Sequence, residues 1–407
     1  MRPAIAELPA SKIREVANAG LGRADVLPFW FGESDEATPA FIRDAGIRSL
    51  NDGETFYAHN LGLPALRGAL AAYVSGLHRP VGEERIAVTS SGVNALMLAI
   101  QALVGPGDEV VAVVPLWPNL TAQPAILGAN VKRLALTVEK GAWTLDMDAL
   151  LAAVTPATTV LLLNAPNNPT GWTLTRAEQQ TILEHCRRTG TWILADEVYE
   201  RVFFEAPAAA EPPQGDRTPP RGAGAAGDVG APSCAPSFLD VAEPDDRLVV
   251  AHSFSKSFLM TGWRLGWLVL PPALVPALGT LIEFNTSCAP VFVQRAGLAA
   301  LAGAAEFVPG LVGRLKHCRD TLLPQLAALP GISVATPAGG MYAFFRIEGQ
   351  DDSLALAKRL VVEAGLGLAP GVAFGAEGEG WLRWCFASKD PARLGQGIDR
   401  LKRFLGL

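Results

Sequence analysis

SFSKSFLMTGWRLG, residues Ser253 to Gly266, follows the apolar run Leu248 to Ala251 and sets one lysine among small hydroxyl residues, with an arginine eight positions later. Most lysines are solvated surface charges. A lysine flanked by Ser253, Phe254 and Ser255 in apolar surroundings loses its proton more easily, which Schiff-base chemistry requires. Arg264 offers the planar fork that grips a phosphate. The segment thus predicts an amine nucleophile, Lys256, beside an anion site at the end of a strand.

Around this segment, from about residue 85 to 270, short β-branched runs alternate with helical patterns, the signature of βαβ units on a parallel sheet. The predicted strands are Arg85 to Thr89, Glu109 to Val114, Thr159 to Leu163, Thr191 to Ala195 and Leu248 to Ala251; Val93 to Leu103 and Arg176 to Arg188 are predicted helices. Right-handed crossovers line up the strand C-termini along one edge, where ligands bind in such folds. Leu265 to Ile282 carries no charge over eighteen residues, the length of a short membrane span. Its Pro271, Pro272 and Pro276 divide it instead into a strand (Leu265 to Leu270), a turn and the start of a buried helix.

The chain of 407 residues predicts two domains sharing an interface. After Asn285 the composition turns to Ala/Leu-rich helices and then a Gly-rich strand, Gly339 to Arg346. This predicts a large domain of residues 45–285 and a smaller α/β domain of residues 286–407 joined by residues 1–44. Residues 206–236 break the pattern, because 21 of the 31 are Ala, Pro or Gly. Such a segment cannot offset its ordering entropy by burial, so a flexible surface insertion is expected.

A net charge of −6 without a long basic run gives no reason to expect a nucleic-acid partner. The five cysteines are scattered, with no metal-ligand or disulfide spacing, and the N-terminus lacks the apolar core of a secretory signal. A reducing cytoplasm is expected. No GxGxxG follows an early strand, which argues against a nicotinamide-binding fold.

Further motifs carry polar residues to strand ends. ILADEVYE places Asp196 after an apolar strand, either as a helix N-cap or as a buried carboxylate. NAPNNPTG, Asn164 to Gly171, marks a tight turn. In TSSGVNALMLA the first helix amides, at Ser91, Gly92 and Val93, point toward any anion at the helix N-terminus. Arg383 in WLRWCFA lies in an apolar strand, where an unpaired guanidinium is costly.

In this order and over nearly the whole chain, these motifs resemble those of class I/II aminotransferases, the fold-type I pyridoxal 5′-phosphate (PLP) enzymes related to aspartate aminotransferase. The resemblance implies an α/β fold with a mostly parallel central sheet and a smaller α/β domain. It assigns Lys256 to the Schiff base with PLP, and Asp196 to the pyridine nitrogen, whose proton it holds so that the ring accepts electrons. Tyr199 and Asn168 fall to the cofactor's 3′-oxygen, Trp117 to the face of its ring. Ser91, Gly92, Val93, Ser253 and Arg264 fall to its phosphate. Tyr57, in YAHNLGLPALRGAL, resembles the tyrosine that reaches that phosphate from a neighbouring subunit, which implies a homodimer. Arg383 resembles the clamp on the substrate α-carboxylate, with Gly32, from WFGESDEATP, and Asn168 lining the same pocket.

The activity implied is transfer of an amino group from an amino acid to a 2-oxo acid with ping-pong kinetics. The alternative is elimination on the same scaffold, as in a C–S lyase, because pocket geometry alone selects the bond that breaks. The segment Phe284 to Gln294, near which some relatives place an arginine for a second carboxylate, has no basic residue, and Phe29, Trp30 and Phe31 flank Gly32. Both features favour neutral or aromatic side chains.

Overall fold

The computed structural model describes residues 1–6, 8–204 and 234–407. Seven strands form the central sheet: β1 (Ile86–Thr89), β2 (Glu109–Val114), β3 (Asn130–Ala135), β4 (Thr158–Asn164), β5 (Trp192–Asp196), β6 (Leu248–Ser253) and β7 (Gly266–Val269). Their spatial order is β1-β7-β6-β5-β4-β2-β3. Along the inner strands successive residues enter two different cores. Val111, Leu161, Ile193 and Val250 face one layer, whereas Val110, Leu162, Leu194 and Val249 face the other. Two buried faces explain why these strands read as continuous apolar runs.

Three strands run further than their apolar residues suggest. Asn164 pairs with Asp196, and Asp196 with Ala251, so polar residues close β4 and β5 at the sheet's C-terminal edge. Likewise β6 extends to Ser253, which pairs with Gly266. At the other end, Arg85 belongs to a 3₁₀ turn before β1 rather than to the strand. One strand departs from the common direction: β7 runs antiparallel to both neighbours. Residues 254–265 turn the chain back at the same edge without a crossover helix, so the whole Lys256 segment stays there.

The helices include α1 (Lys12–Ala19), α2 (Ala40–Asn51), α3 (Gly92–Leu103), α4 (Arg176–Thr189), α5 (Val275–Asn285) and α6 (Val291–Ala302). The termini of α4 are written in sequence. Thr175 and Glu178 form a reciprocal capping box, and Gly190 closes the last turn in the left-handed region. The uncharged stretch 265–282 divides as expected into β7, a 3₁₀ turn (Pro272–Leu274) and α5. Among the described residues no single helix is long and apolar enough to cross a membrane.

A second, antiparallel sheet holds β8 (Ile332–Val334), β9 (Tyr342–Ile347), β10 (Ala369–Pro370) and β11 (Trp381–Cys385) in the order β8-β9-β11-β10. The strand expected from Gly339 starts only at Tyr342. A Cβ on Gly339 would lie 2.8 Å from Pro166 and from the Val202 carbonyl oxygen, so this glycine lets 337–341 pack flat against the 164–171 turn. Val16, Phe29 and Trp30 share a core with Phe344, Leu360 and Trp384 of this part. Val293, Ala296 and Ala300 of α6 pack instead with Ile42 and Leu66 on the large sheet. Residues 206–233 of the expected insertion lie outside the described residues. Just after them Ala235 is buried and donates to the Glu200 carbonyl at 2.7 Å.

Candidate active site

A cavity of about 580 Å³ opens at the C-terminal edge of the large sheet, between it and the antiparallel sheet. It brings together Lys256, Asp196, Tyr199, Asn168, Trp117, Gly92, Val93, Ser253, Arg264, Gly32 and Arg383, residues spread over 350 positions of sequence. Ser91 and Tyr57 do not line it. The Ser91 hydroxyl caps α3, accepting from the Asn94 N–H at 3.0 Å. Tyr57 stands 88% exposed on the surface.

Lys256 is held without a carboxylate. Its Nζ donates to the Gly32 carbonyl at 2.5 Å and lies 5.6 Å from the centre of the Tyr199 ring. Burial pushes its pKa down to about 8, and the nearby Arg383 adds to that. An amine of this kind is half neutral near pH 8, and the neutral form is the one that attacks carbonyl carbon.

At the end of β5 Asp196 is buried, and its carboxylate accepts one hydrogen bond, a long 3.4 Å contact from the Val198 N–H. Burial drives its pKa up to about 7, against smaller lowering by that N–H and by Lys256. A buried carboxylate so poorly satisfied is set to receive a cationic donor. Asn164, at the matching position of β4, fixes the surroundings. Its Nδ2 donates to the Asp196 carbonyl at 3.0 Å, and its Oδ1 accepts from the Asn168 N–H at 2.8 Å.

Arg383 crosses from the small sheet to this turn. It is 2% exposed and donates to Asn168 Oδ1 at 2.9 Å and to the Trp30 carbonyl at 2.5 Å. Its guanidinium lies between the rings of Tyr342 and Phe374, 4.4 and 4.9 Å from their centres. Nε has no partner, and among the described residues no carboxylate pairs with this arginine. The structural salt bridge that would account for its burial is therefore missing, and an anion from solution fits the open place in its bonding.

Across the cavity, small residues gather donors. A Cβ on Gly266 would lie 2.5 Å from the Gly92 nitrogen, so glycine at the start of β7 lets the N-terminus of α3 approach β6. Gly92 thereby stands beside Ser253, whose Oγ donates to Ser255 Oγ at 2.9 Å and accepts from the Ser255 N–H at 3.1 Å. Arg264, in the left-handed region at φ 55°, closes this side. Helix amides, hydroxyls and a guanidinium around one space are the donor set that a phosphate needs.

Tyr342 belongs to the site although no sequence motif points to it. Its hydroxyl lies 2.5 Å from that of Tyr199, and the two share a hydrogen bond between large and small sheets. Burial raises the pKa of both phenols, so they are neutral donors. The signal available was a tyrosine following a Gly-Gly pair, which marks close packing only once the turn at 164–171 is placed against it.

The family model for class I and II aminotransferases matches residues 24–401. The chain is 32% identical to an aspartate aminotransferase of Musicola paradisiaca, over 88% of this chain and 83% of that one. It is 31% identical to an arginine–pyruvate transaminase of Pseudomonas aeruginosa, over 88% and 85% of the two chains. The crystal structure of aspartate aminotransferase from Thermotoga maritima superposes with a TM-score of 0.87 at 28% identity, covering 100% of both chains.

Proposed function

Because the chain belongs to the class I and II aminotransferase family, whose members use PLP, we propose that Lys256 bonds the cofactor and that the amino donor is a neutral or aromatic L-amino acid. The observation that carries this reading is the pairing, in one cavity, of a half-buried amine of depressed pKa with a buried, under-bonded carboxylate. The residues present fit PLP: Asp196 suits a protonated pyridine nitrogen, the Gly92–Ser253–Ser255–Arg264 cradle suits a phosphate, and Trp117 lines the space between. Bound PLP supplies a conjugated ring that takes up electrons from the substrate α-carbon.

The chain's own residues do the rest. Asp196 would hold the ring nitrogen's proton, a closer partner for its charge than the long Val198 N–H contact that the protein supplies. Tyr199, fixed by Tyr342, and Asn168, fixed by Asn164, offer donors to the cofactor's 3′-oxygen. Arg383 would grip the substrate α-carboxylate beside the Gly32 backbone and thereby aim the α-hydrogen at the Lys256 amine, which would take that proton. Release of one 2-oxo acid before the next binds gives ping-pong kinetics.

The side-chain preference is supported by Ile13, Phe31 and Val198 in the cavity wall. Arg295, the first basic residue after the 284–294 segment, is committed to Glu54 in a double ion pair. A second copy of the chain is proposed to cover Phe56, Tyr57 and Phe284, which are 84%, 88% and 84% exposed, and to bring its Tyr57 to the phosphate cradle. All five cysteines are free, which supports a reducing compartment.

The test is a screen of amino donors against 2-oxoglutarate and pyruvate with the PLP-loaded protein. Parallel initial-velocity lines and preference for neutral or aromatic donors are expected. Ammonia release without an added oxo acid would move the activity to elimination, and aspartate as clearly the best donor would overturn the side-chain preference.

A further inference from the structure

Glu197 directly follows Asp196, and His252 directly precedes Ser253, yet neither lines the cavity that their neighbours line. Behind the sheet edge the two meet Glu200. All three are buried. One ligand atom from each, a ring nitrogen of His252 and a carboxylate oxygen of Glu197 and of Glu200, lies within 4.8 Å of the other two.

Neighbouring groups account for the carboxylates in part. Glu197 accepts from the Ser237 hydroxyl at 2.5 Å and from the Phe238 N–H at 3.1 Å. Glu200 Oε2 lies 3.2 Å from His78 Nε2, and the other nitrogen of that ring lies 3.1 Å from Asp240 Oδ1. Arg201 gives its guanidinium to the Tyr73 hydroxyl at 2.8 Å. His252 is left over. It is 1% exposed and stacks on the Trp267 ring at 4.9 Å, and among the described residues neither of its nitrogens makes a hydrogen bond. A buried imidazole without a partner is costly. Burial lowers its pKa, so the ring is neutral and one nitrogen carries a lone pair. Its Nδ1 stands 3.6 Å from Glu200 Oε1, too far for a hydrogen bond. Two ligands of one tetrahedral zinc ion stand about 3.4 Å apart.

We propose that Glu197, Glu200 and His252 form a buried site for a divalent transition-metal ion of the zinc type, which ties the end of β5 to β6 behind Asp196 and Ser253. One imidazole nitrogen and two carboxylate oxygens suit zinc, whereas magnesium and calcium take six or more oxygens. Three protein ligands leave the fourth tetrahedral position to water. Burial holds the Glu197 carboxyl as the acid up to about pH 8, so the ion enters by displacing that proton. No local spacing announces the site, because His252 comes from the neighbouring strand.

The test uses the PLP-loaded full chain, stripped with a chelator and titrated with Zn²⁺ at pH 8, with bound metal measured by equilibrium dialysis. One ion per chain is expected, held at least about tenfold more weakly by His252→Ala and by Glu197→Gln. The melting temperature should rise with Zn²⁺ in the wild type and stay unchanged in both variants. X-ray absorption at the zinc edge should show nitrogen and oxygen neighbours at about 2.0 to 2.2 Å and no sulphur. Glu197→Gln keeps the shape of the side chain, so it reports even where His252→Ala does not fold. No saturable zinc, zinc held undiminished by either variant, or sulphur at the ion, which would place it on the free cysteines, would overturn the assignment. None of these readouts needs turnover, so they stand apart from the aminotransferase reading.

Discussion

A methyl group on Gly32 would place its carbon 2.2 Å from the phenol oxygen of Tyr342, so these two residues occupy one space between the N-terminal segment and the small sheet. The Gly32 carbonyl also receives Lys256. Gly32→Ala must therefore displace either Tyr342 or the acceptor of the amine. We expect kcat/KM to fall by about two orders of magnitude, a shift near 1 Å of reacting groups being worth that much. Tyr342→Phe removes the clashing oxygen, so the double variant should recover part of the loss. Steady-state kinetics of the three variants check this, and additive losses would contradict it.

Asp196 should make the cofactor-free protein less stable at neutral pH. Its folded pKa, near 7, lies above the value of about 4 for an exposed carboxyl, so the folded state binds an extra proton between those values. Stability from this group is complete below pH 4 and is lost as pH rises through 7. Asp196→Asn should then melt at a higher temperature than wild type without cofactor, the gap opening between pH 4 and 7 and levelling above. With PLP the order reverses, because the carboxylate gains its cationic partner. Thermal melts across pH, with and without cofactor, measure both.

Arg383 is buried, and its guanidinium has one nitrogen unbonded. Replacing it by methionine should lower kcat/KM by a factor equivalent to about 2 to 5 kcal/mol, the range for removing one member of a buried charge pair. Arg383→Lys keeps the charge but not the fork, and should recover less than half of this in free energy. Kinetics with a monocarboxylic donor isolate the α-carboxylate contact.

The amine should set the pH dependence of cofactor uptake. Lys256 has its pKa lowered to about 8 by burial, so its neutral fraction grows about tenfold from pH 7 to 9 and then saturates. The rate at which cofactor-free protein turns yellow should follow that curve. A rate still climbing toward pH 10.5 would mean a solvated lysine. The sign for stability is opposite to that of Asp196. Between pH 8 and 10.5 the unfolded chain holds a proton that the folded chain lacks, so stability rises with pH in that window.

Much of this site is legible in sequence because its parts sit at strand ends within local motifs. Apolar runs locate the strands, and the polar residues just beyond them mark the sheet edge. Those polar residues also make the runs look too short: Asn164, Asp196 and Ser253 are the last rungs of their strands, held by backbone pairing that side-chain polarity does not reveal. Tyr342 is hidden for another reason, since it meets Tyr199 across 143 positions of sequence. The reversed direction of β7 comes from the lack of a helix between Ser253 and Gly266.

Lys256 is proposed as the residue that bonds the cofactor. Borohydride reduction of the PLP-loaded protein followed by peptide mapping tests it most directly. A single pyridoxyl adduct on the peptide containing Lys256, absent from Lys256→Ala, is the expected result. An adduct on another lysine, or none from yellow protein, would contradict it.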